Sequence, residues 1–322
     1  MRLCFFAKVR FAEELNHVEF YAQDLRVLRE MGCEVVRATQ LRAIRPADLY
    51  VVWWWTWAAF PVFYARLLGR PVIVTGVFDY WKYPERSAVH RLLHRLALRF
   101  ADANVFISRF EYDQIPRVLS VRHPRYIPLT IDTEIYRPGS TPRENFILTI
   151  AKMIGGNGVR KCIEEIVRAA PLIHQTHPEL RFVVAGELDS RYPGLARELG
   201  ADGYMEFPGV VDSGSKVDLM RRCRLYLQPT RFEGFGLAIA EAMACGAPVV
   251  TSSEGAVPEV VGDHAVFIDG YSPEAIAAGV NALLSDPGRQ RALSQGGPDR
   301  IRDLFSYERH RREWTALIES FG

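Results

Sequence analysis

The chain has 322 residues, 48% of them hydrophobic and 24% charged. That is too long for one ordinary domain, rich enough for two cores, and unlike the composition of a disordered chain. A net charge of only +2 excludes a general nucleic-acid binder, although residues 1–137 carry 20 Lys and Arg against 14 Asp and Glu while the remainder carries 20 against 24, so an anionic partner or surface is expected on the first part, if anywhere. The chain opens on a short apolar run that stops at Lys8, so no signal peptide is expected. The first strands are expected at 2–7 (RLCFFA), 33–38 (CEVVRA), 49–55 (LYVVWWW), 71–76 (PVIVTG), 102–108 (DANVFIS) and 125–129 (RYIPL), with helices between most of them, among them 16–31 and 87–100. The richest apolar stretch, around 50–68, approaches a membrane span in length. It carries Pro61 and Arg66 and changes period midway, so it reads as a buried strand followed by a helix.

The scheme then repeats. Strands are expected at 145–151, 181–187, 204–210, 225–229, 248–252 and 265–268, and helices near 161–177, 215–223, 236–245, 273–285 and 306–320. Continuous apolar strands separated by helices indicate parallel sheets covered on both faces. The Pro- and Gly-containing segment 136–144 (YRPGSTPRE) is the natural linker. The expected architecture is therefore α/β: two Rossmann-like, doubly wound domains, 1–137 and 138–322, facing a cleft, with the last helix free to pack back on the first domain. Five scattered cysteines (Cys4, Cys33, Cys162, Cys223, Cys245), odd in number and without a C-x-x-C pair, read as reduced thiols of a cytoplasmic protein.

The chemistry concentrates in LYLQPTRFEGFGLAIAEAMACGAPVVTS (225–252). A buried strand ends at Pro229, a polar loop follows, and a helix of good formers starts. Gly234 and Gly236 let the backbone approach a ligand closely. The N–H groups of Phe235, Gly236 and Leu237 open the helix, and such an end binds anions. Glu233 lies in the loop and Glu241 in the second helical turn, so the two carboxylates can reach different parts of one ligand. A strand-to-helix loop with solvated glutamates is the plainer alternative, but the whole string is more specific than that.

This stretch resembles the retaining glycosyltransferase family 4 of GT-B fold, marked by E-x7-E within EGFGL…EAMA.G.PVV; AVPEVVGD (256–263), FADANVFIS (100–108), YIPLTIDTEIYRP (126–138) and VVAGELD (183–189) agree with it. The resemblance implies a transferase that takes a nucleotide-sugar donor. Glu233 would bind the donor sugar's hydroxyls, the amides of Gly234, Phe235, Gly236 and Leu237 the sugar and diphosphate, and Glu241 the ribose. It places a basic pair after the first strand of the second domain: Lys152, and Lys161 with Cys162 where glycine is usual, Arg160 competing with Lys161 for the role. With no D-x-D pair present, ELD (187–189) being the nearest, no metal cofactor is expected, and lysines would balance the leaving diphosphate. The acceptor, whether glycan, lipid-linked or small-molecule, is not specified. The first loop lacks the family's Gly-Gly, and Phe78 stands where a His is frequent, so the acceptor-side site is not carried over, and His90, His94 and His123 read as surface or core residues. A non-catalytic sugar-nucleotide-binding protein and a sugar-nucleotide epimerase are the alternatives.

One further helix draws notice. In SAVHRLLHRLALRF (87–100), Arg91, Arg95 and Arg99 line one face, with Val89, Leu92, Leu93, Leu96 and Phe100 mainly on the other. A basic amphipathic helix preceded by an aromatic loop, FDYWKYPER (78–86), fits an anionic membrane surface. The ordinary alternative is that its apolar side covers the sheet.

Overall fold

A computed structural model describes residues 1–78 and 80–321; of Trp81 only the backbone is described. Asp79 and the Trp81 side chain, both in the aromatic loop 78–86, therefore lie outside the described residues. Two six-stranded, wholly parallel sheets organise the chain. The first comprises β1 (Arg2–Ala7), β2 (Glu34–Ala38), β3 (Leu49–Trp53), β4 (Val72–Gly76), β5 (Ala103–Phe106) and β6 (Pro124–Tyr126), in the order β2-β1-β3-β4-β5-β6. The second comprises β7 (Phe146–Ile150), β8 (Arg181–Ala185), β9 (Met205–Gly209), β10 (Leu225–Gln228), β11 (Val249–Thr251) and β12 (Val266–Phe267), in the order β12-β11-β10-β7-β8-β9. The two orders are those of the flavodoxin-like and the Rossmann doubly wound sheets, with switch points at β1/β3 and β7/β10.

All twelve expected strands are present, within three residues at each end. The central ones are buried on both faces: every residue of β3 and of β10 is buried. A parallel sheet covered by helices requires this, and it explains why uninterrupted apolar runs mark the strands. The apolar stretch around 50–68 is β3 followed by a helix, Trp55–Leu67; no described helix is long and apolar enough to cross a membrane.

The chain divides into two compact units, residues 1–130 together with the segment from Tyr307 on, and Ile131–Ser306. The division falls earlier than residue 137 for a local reason. The Ile131 N–H donates to the Phe305 carbonyl at 2.9 Å, and the partly buried Arg143 guanidinium bonds the carbonyls of Arg221 and Cys223 at 3.0 and 2.9 Å, so segment 131–144 is fastened to the second unit. The C-terminal helix Tyr307–Glu319 belongs to the first unit. There His310 is buried, with Nδ1 2.8 Å from the Pro128 carbonyl and Nε2 2.9 Å from Asp24, whose second oxygen accepts from the Trp53 indole at 2.8 Å.

Helix Ala88–Phe100 does not lie as an apolar-side-in helix would. Its buried residues are His94, Ala97 and Leu98, whereas Val89, Leu92 and Phe100 are exposed. His94 sits edge-on to Phe78 at 5.3 Å and near Tyr83 at 5.8 Å. This aromatic seat turns the helix about its axis and leaves its large apolar residues outside.

Candidate active site

The second sheet reverses direction between β7 and β10, and ligands of open α/β sheets bind beyond the carboxyl ends of the strands at such a point. Both strands end in loops built to hold charge there. The Thr149 hydroxyl donates to the Leu227 carbonyl at 2.6 Å, fixing the two strand ends together. After β10, residues 229–236 form the expected loop, and Gly236, at φ 98°, caps the helix Leu237–Ala244. Only glycine takes that conformation without strain. Among the described residues the helix's first N–H groups have no acceptor of their own, the ordinary condition of a helix start. Phe235 does not face solvent: its ring is buried edge-on against Phe305 at 5.3 Å, so only its backbone is available to a ligand.

Glu233 is the centre of the cluster. It is buried, 7% exposed, with the Lys161 ammonium bonded to Oε1 and Arg160 Nη1 at 3.2 Å from the same oxygen. Thr230 Oγ1 lies 3.3 Å from it. The Gln228 amide, turned so that its oxygen accepts from Lys161 at 2.7 Å, presents its nitrogen to the Ile150 carbonyl and the Tyr226 hydroxyl. Burial alone would push the Glu233 carboxyl up, but the charges of Lys161 and Arg160 outweigh it and hold the group below its usual range. Burial pulls Lys161 down, and Glu233 opposes that. Each group thus favours the charged form of the other.

Two backbone features place these groups. Gly255, at φ +59°, passes so close to Glu233 that a Cβ there would lie 2.3 Å from the Glu233 carbonyl oxygen, and the neighbouring Ala256 N–H donates to that oxygen at 2.9 Å. On the other side Cys162, where the motif has glycine, is left-handed at φ 51° between the short helix Gly156–Arg160 and the helix Ile163–Thr176. The sharp turn there sends Arg160 and Lys161 together toward Glu233. Their competition for one role resolves into both touching the same carboxylate.

The remaining expected residues lie apart from this cluster. Lys152 follows β7 but is half-exposed and pairs with Glu187 at 3.0 Å. Glu241 is buried and bonded by Lys216 at 2.7 Å, from the helix Ser213–Arg222, and Lys216 also lies 5.2 Å over the Tyr136 ring. Lys216, Gln228, Thr230 and Gly255 were not singled out in the sequence. Gln228 and Thr230 lie within the 225–252 string and Gly255 stands one residue before the AVPEVVGD segment, whereas Lys216 meets Glu241 through the fold alone.

Two parallel, doubly wound α/β units, the second with a buried carboxylate–cation cluster at its switch point, define the GT-B class of protein. Comparison with known proteins agrees: residues 138–300 match the family described as "Glycosyl transferases group 1", and the chain belongs to that family. An MMP alpha-(1->4)-mannosyltransferase of Mycolicibacterium hassiacum is 28% identical over 60% of this chain and 47% of its own length, and a D-inositol 3-phosphate glycosyltransferase of Acidothermus cellulolyticus is 29% identical over 53% and 42%. The matched regions thus span less than half the length of these curated relatives. Among solved structures, sucrose-phosphate synthase of Thermosynechococcus elongatus superposes with a TM-score of 0.80 at 17% identity, covering 99% of this chain and 98% of that one. Anabaena HepE in complex with UDP and glucose superposes with a TM-score of 0.80 at 16% identity, covering 99% and 100%.

Proposed function

We propose that the protein transfers a sugar, with retention of anomeric configuration, from a nucleoside diphosphate sugar bound by the second unit. The observation that carries the reading is the buried Glu233 held by Lys161 and Arg160 beside the N-terminus of helix Leu237–Ala244. Without ligand, the two cations share one carboxylate and leave an excess of positive charge. A diphosphate at the helix start draws on the cations and on the N–H groups of Gly234, Phe235, Gly236 and Leu237, and leaves Glu233 free to accept from sugar hydroxyls. Breaking the glycosyl–phosphate bond builds negative charge on the diphosphate. Preorganised cations and helix amides stabilise that charge more in the transition state than in the ground state. Lys152, just after β7, is a third cation for the same diphosphate, Glu241 takes the ribose, and the departing phosphate assists deprotonation of the acceptor hydroxyl. HepE, which binds UDP, supports a nucleotide donor.

One observation favours a second reading. Phe78, at the expected histidine position, is buried and packs on Trp55 at 5.9 Å, so it can exchange no proton, and a protein that binds donor without transferring it would tolerate it. A thermal-shift screen of UDP, GDP, ADP and their sugars, followed by donor turnover, separates the two. A donor at 100 times its Kd adds about 2.7 kcal/mol of stability under either reading; turnover occurs only under the first, and stabilisation without turnover of any stabilising donor would overturn it. Turnover is expected to survive EDTA. Loss that added Mg²⁺ or Mn²⁺ restores would show that a metal shares the work assigned to the lysines.

A further inference from the structure

The first unit carries a surface that the donor chemistry does not use. Helices Trp55–Leu67 and Ala88–Phe100 run parallel on one face of the first sheet, tied by Thr56 to His94 at 3.5 Å and by Phe63 on Phe100 at 5.5 Å. Along the first, Trp57, Phe60, Phe63 and Leu67 recur at helical spacing and are all exposed, Leu67 by 85%. Along the second, Val89, Leu92 and Phe100 do the same, Val89 by 66%. A soluble face does not ordinarily gather so many large apolar residues, and a contiguous patch of them marks an interaction site.

The border of the patch selects the partner. Arg95 and Arg99 are exposed, Arg91 is partly so, and none has an acidic group within ion-pair distance among the described residues. Lys8 lies 6.0 Å over the Trp57 ring. Arg95, Leu96, Arg99, Val118, Leu119 and Ser120 line a shallow open hollow on the same helix, two of them arginines. A second copy of the chain docking face to face would set arginine against arginine. An anionic bilayer offers apolar depth for the aromatics and phosphate for the arginines, and Trp with basic neighbours is the composition of an interfacial surface.

We propose that this two-helix face docks the protein on an anionic lipid bilayer, with aromatic side chains entering the headgroup–acyl boundary and the hollow between Arg95 and Arg99 seating a headgroup phosphate. Trp57 stands in the first turn after β3, at the carboxyl end of the first sheet. The contact therefore starts at the carboxyl edge of the first sheet and extends along the helix to Leu67.

The test is flotation of the full chain with vesicles of phosphatidylcholine alone and of phosphatidylcholine with phosphatidylglycerol, at low and high salt. Two variants, R95Q/R99Q and F60S/F63S, alter exposed side chains only, and a circular-dichroism melt checks their fold. Binding is expected to require phosphatidylglycerol and to fall with salt. It should weaken about fivefold per arginine neutralised, from ~1 kcal/mol per basic residue near an anionic surface, and drop again in F60S/F63S. Equal recovery with the unbound fraction under all conditions would overturn the proposal. So would binding indifferent to both variants, or a dimer in solution that F60S/F63S dissociates without any binding to lipid. Free inorganic phosphate that displaces the protein from vesicles no better than chloride at equal ionic strength supports a seat on the bilayer; displacement by millimolar phosphate alone would reassign the hollow to a soluble anion.

Discussion

The two units share an architecture and differ in what they bury. At the switch point of the second sheet sit Glu233, Lys161 and Arg160, and the helix that follows β10 carries a second buried carboxylate, Glu241, paired with Lys216. At the corresponding place in the first sheet, after β1 and β3, stands an aromatic cluster: Phe20 stacked on Trp53 at 4.9 Å, and Tyr21 edge-on to the same indole at 5.1 Å. Trp54, beside them, holds a strained φ of 77°. Burying a charge is costly unless it is paired. A unit that clusters charges at one strand edge is arranged for an ionic ligand, whereas the first unit sets rings at its edge and ties its buried Asp24 to the Trp53 indole and His310. Doubly wound sheets supply the place; the side chains at the switch decide the chemistry.

The comparison breaks first at Glu233. E233Q leaves the shape and removes the charge that both cations answer, and K161A removes one cation while Arg160 stays at 3.2 Å. Turnover should fall by about 10²–10³ in each, the scale for losing one preorganised electrostatic contact. Stability falls too, because the pair is buried. The sign of its pH dependence follows from the lowered Glu233 carboxyl, whose ordinary value is 4.5. The contribution is present above that value and is lost as pH falls through the folded-state pKa. The melting-temperature gap between the parent and E233Q should therefore be full at neutral pH and close only in acid, below the ordinary carboxyl value; a gap that widens in acid would contradict the ion pair.

His310 tests the other unit. H310A leaves the buried Asp24 with only the Trp53 indole, at an expected cost of about 3 kcal/mol of stability. Donor affinity measured by calorimetry below the melting temperature should not change. A fall in affinity would show that the aromatic unit is not independent of donor binding.

Glu241 sharpens the assignment within the second unit. E241A removes a carboxylate that Lys216 holds at 2.7 Å. If it accepts the ribose hydroxyls, affinity for the matching nucleoside diphosphate falls tenfold to a hundredfold, the equivalent of about 1.5–3 kcal/mol for a charged hydrogen bond. Unchanged affinity would move the ribose elsewhere.

How far the sequence reaches differs between the units in the same way. Strands were legible in both, because buried parallel strands are uninterrupted apolar runs, as LYVVW of β3 and FILTI of β7 are. The donor residues were legible because Glu233 to Glu241 lie in one continuous string. Lys216 was not, since it reaches Glu241 from a different helix. Helix Pro287–Phe305 was not singled out either; it holds Gly296, Gly297 and Pro298 within it, and Gly297 is where the helix closes on Met243, with a Cβ position 3.6 Å from the Met243 side chain. Helix Ala88–Phe100 shows a different limit. Its pattern displays a polar and an apolar face but not which neighbour fills the seat beneath; His94 and Ala97 do, and the apolar residues that periodicity assigns to the core stay outside.

Cys162 carries the smallest expected effect. It occupies a left-handed position, φ 51°, that a β-carbon makes unfavourable by about 1 kcal/mol. Its side chain is wholly buried, and burial pushes the thiol up to about 12, so at neutral pH it is an uncharged packing group. C162G removes the strain and also removes one buried CH₂ and the sulfur, worth about 1 kcal/mol in the opposite sense. The two nearly cancel, so the melting temperature should move by no more than about 3 °C. Transfer should be unchanged, since Lys161 and Arg160 keep the turn that aims them at Glu233. C162V adds a branched β-carbon at the same φ and should lose both stability and turnover together. If C162G instead lost turnover at an unchanged melting temperature, the thiol itself would have to act on the ligand, and the reading of this position as a glycine site filled by a tolerated cysteine would fall.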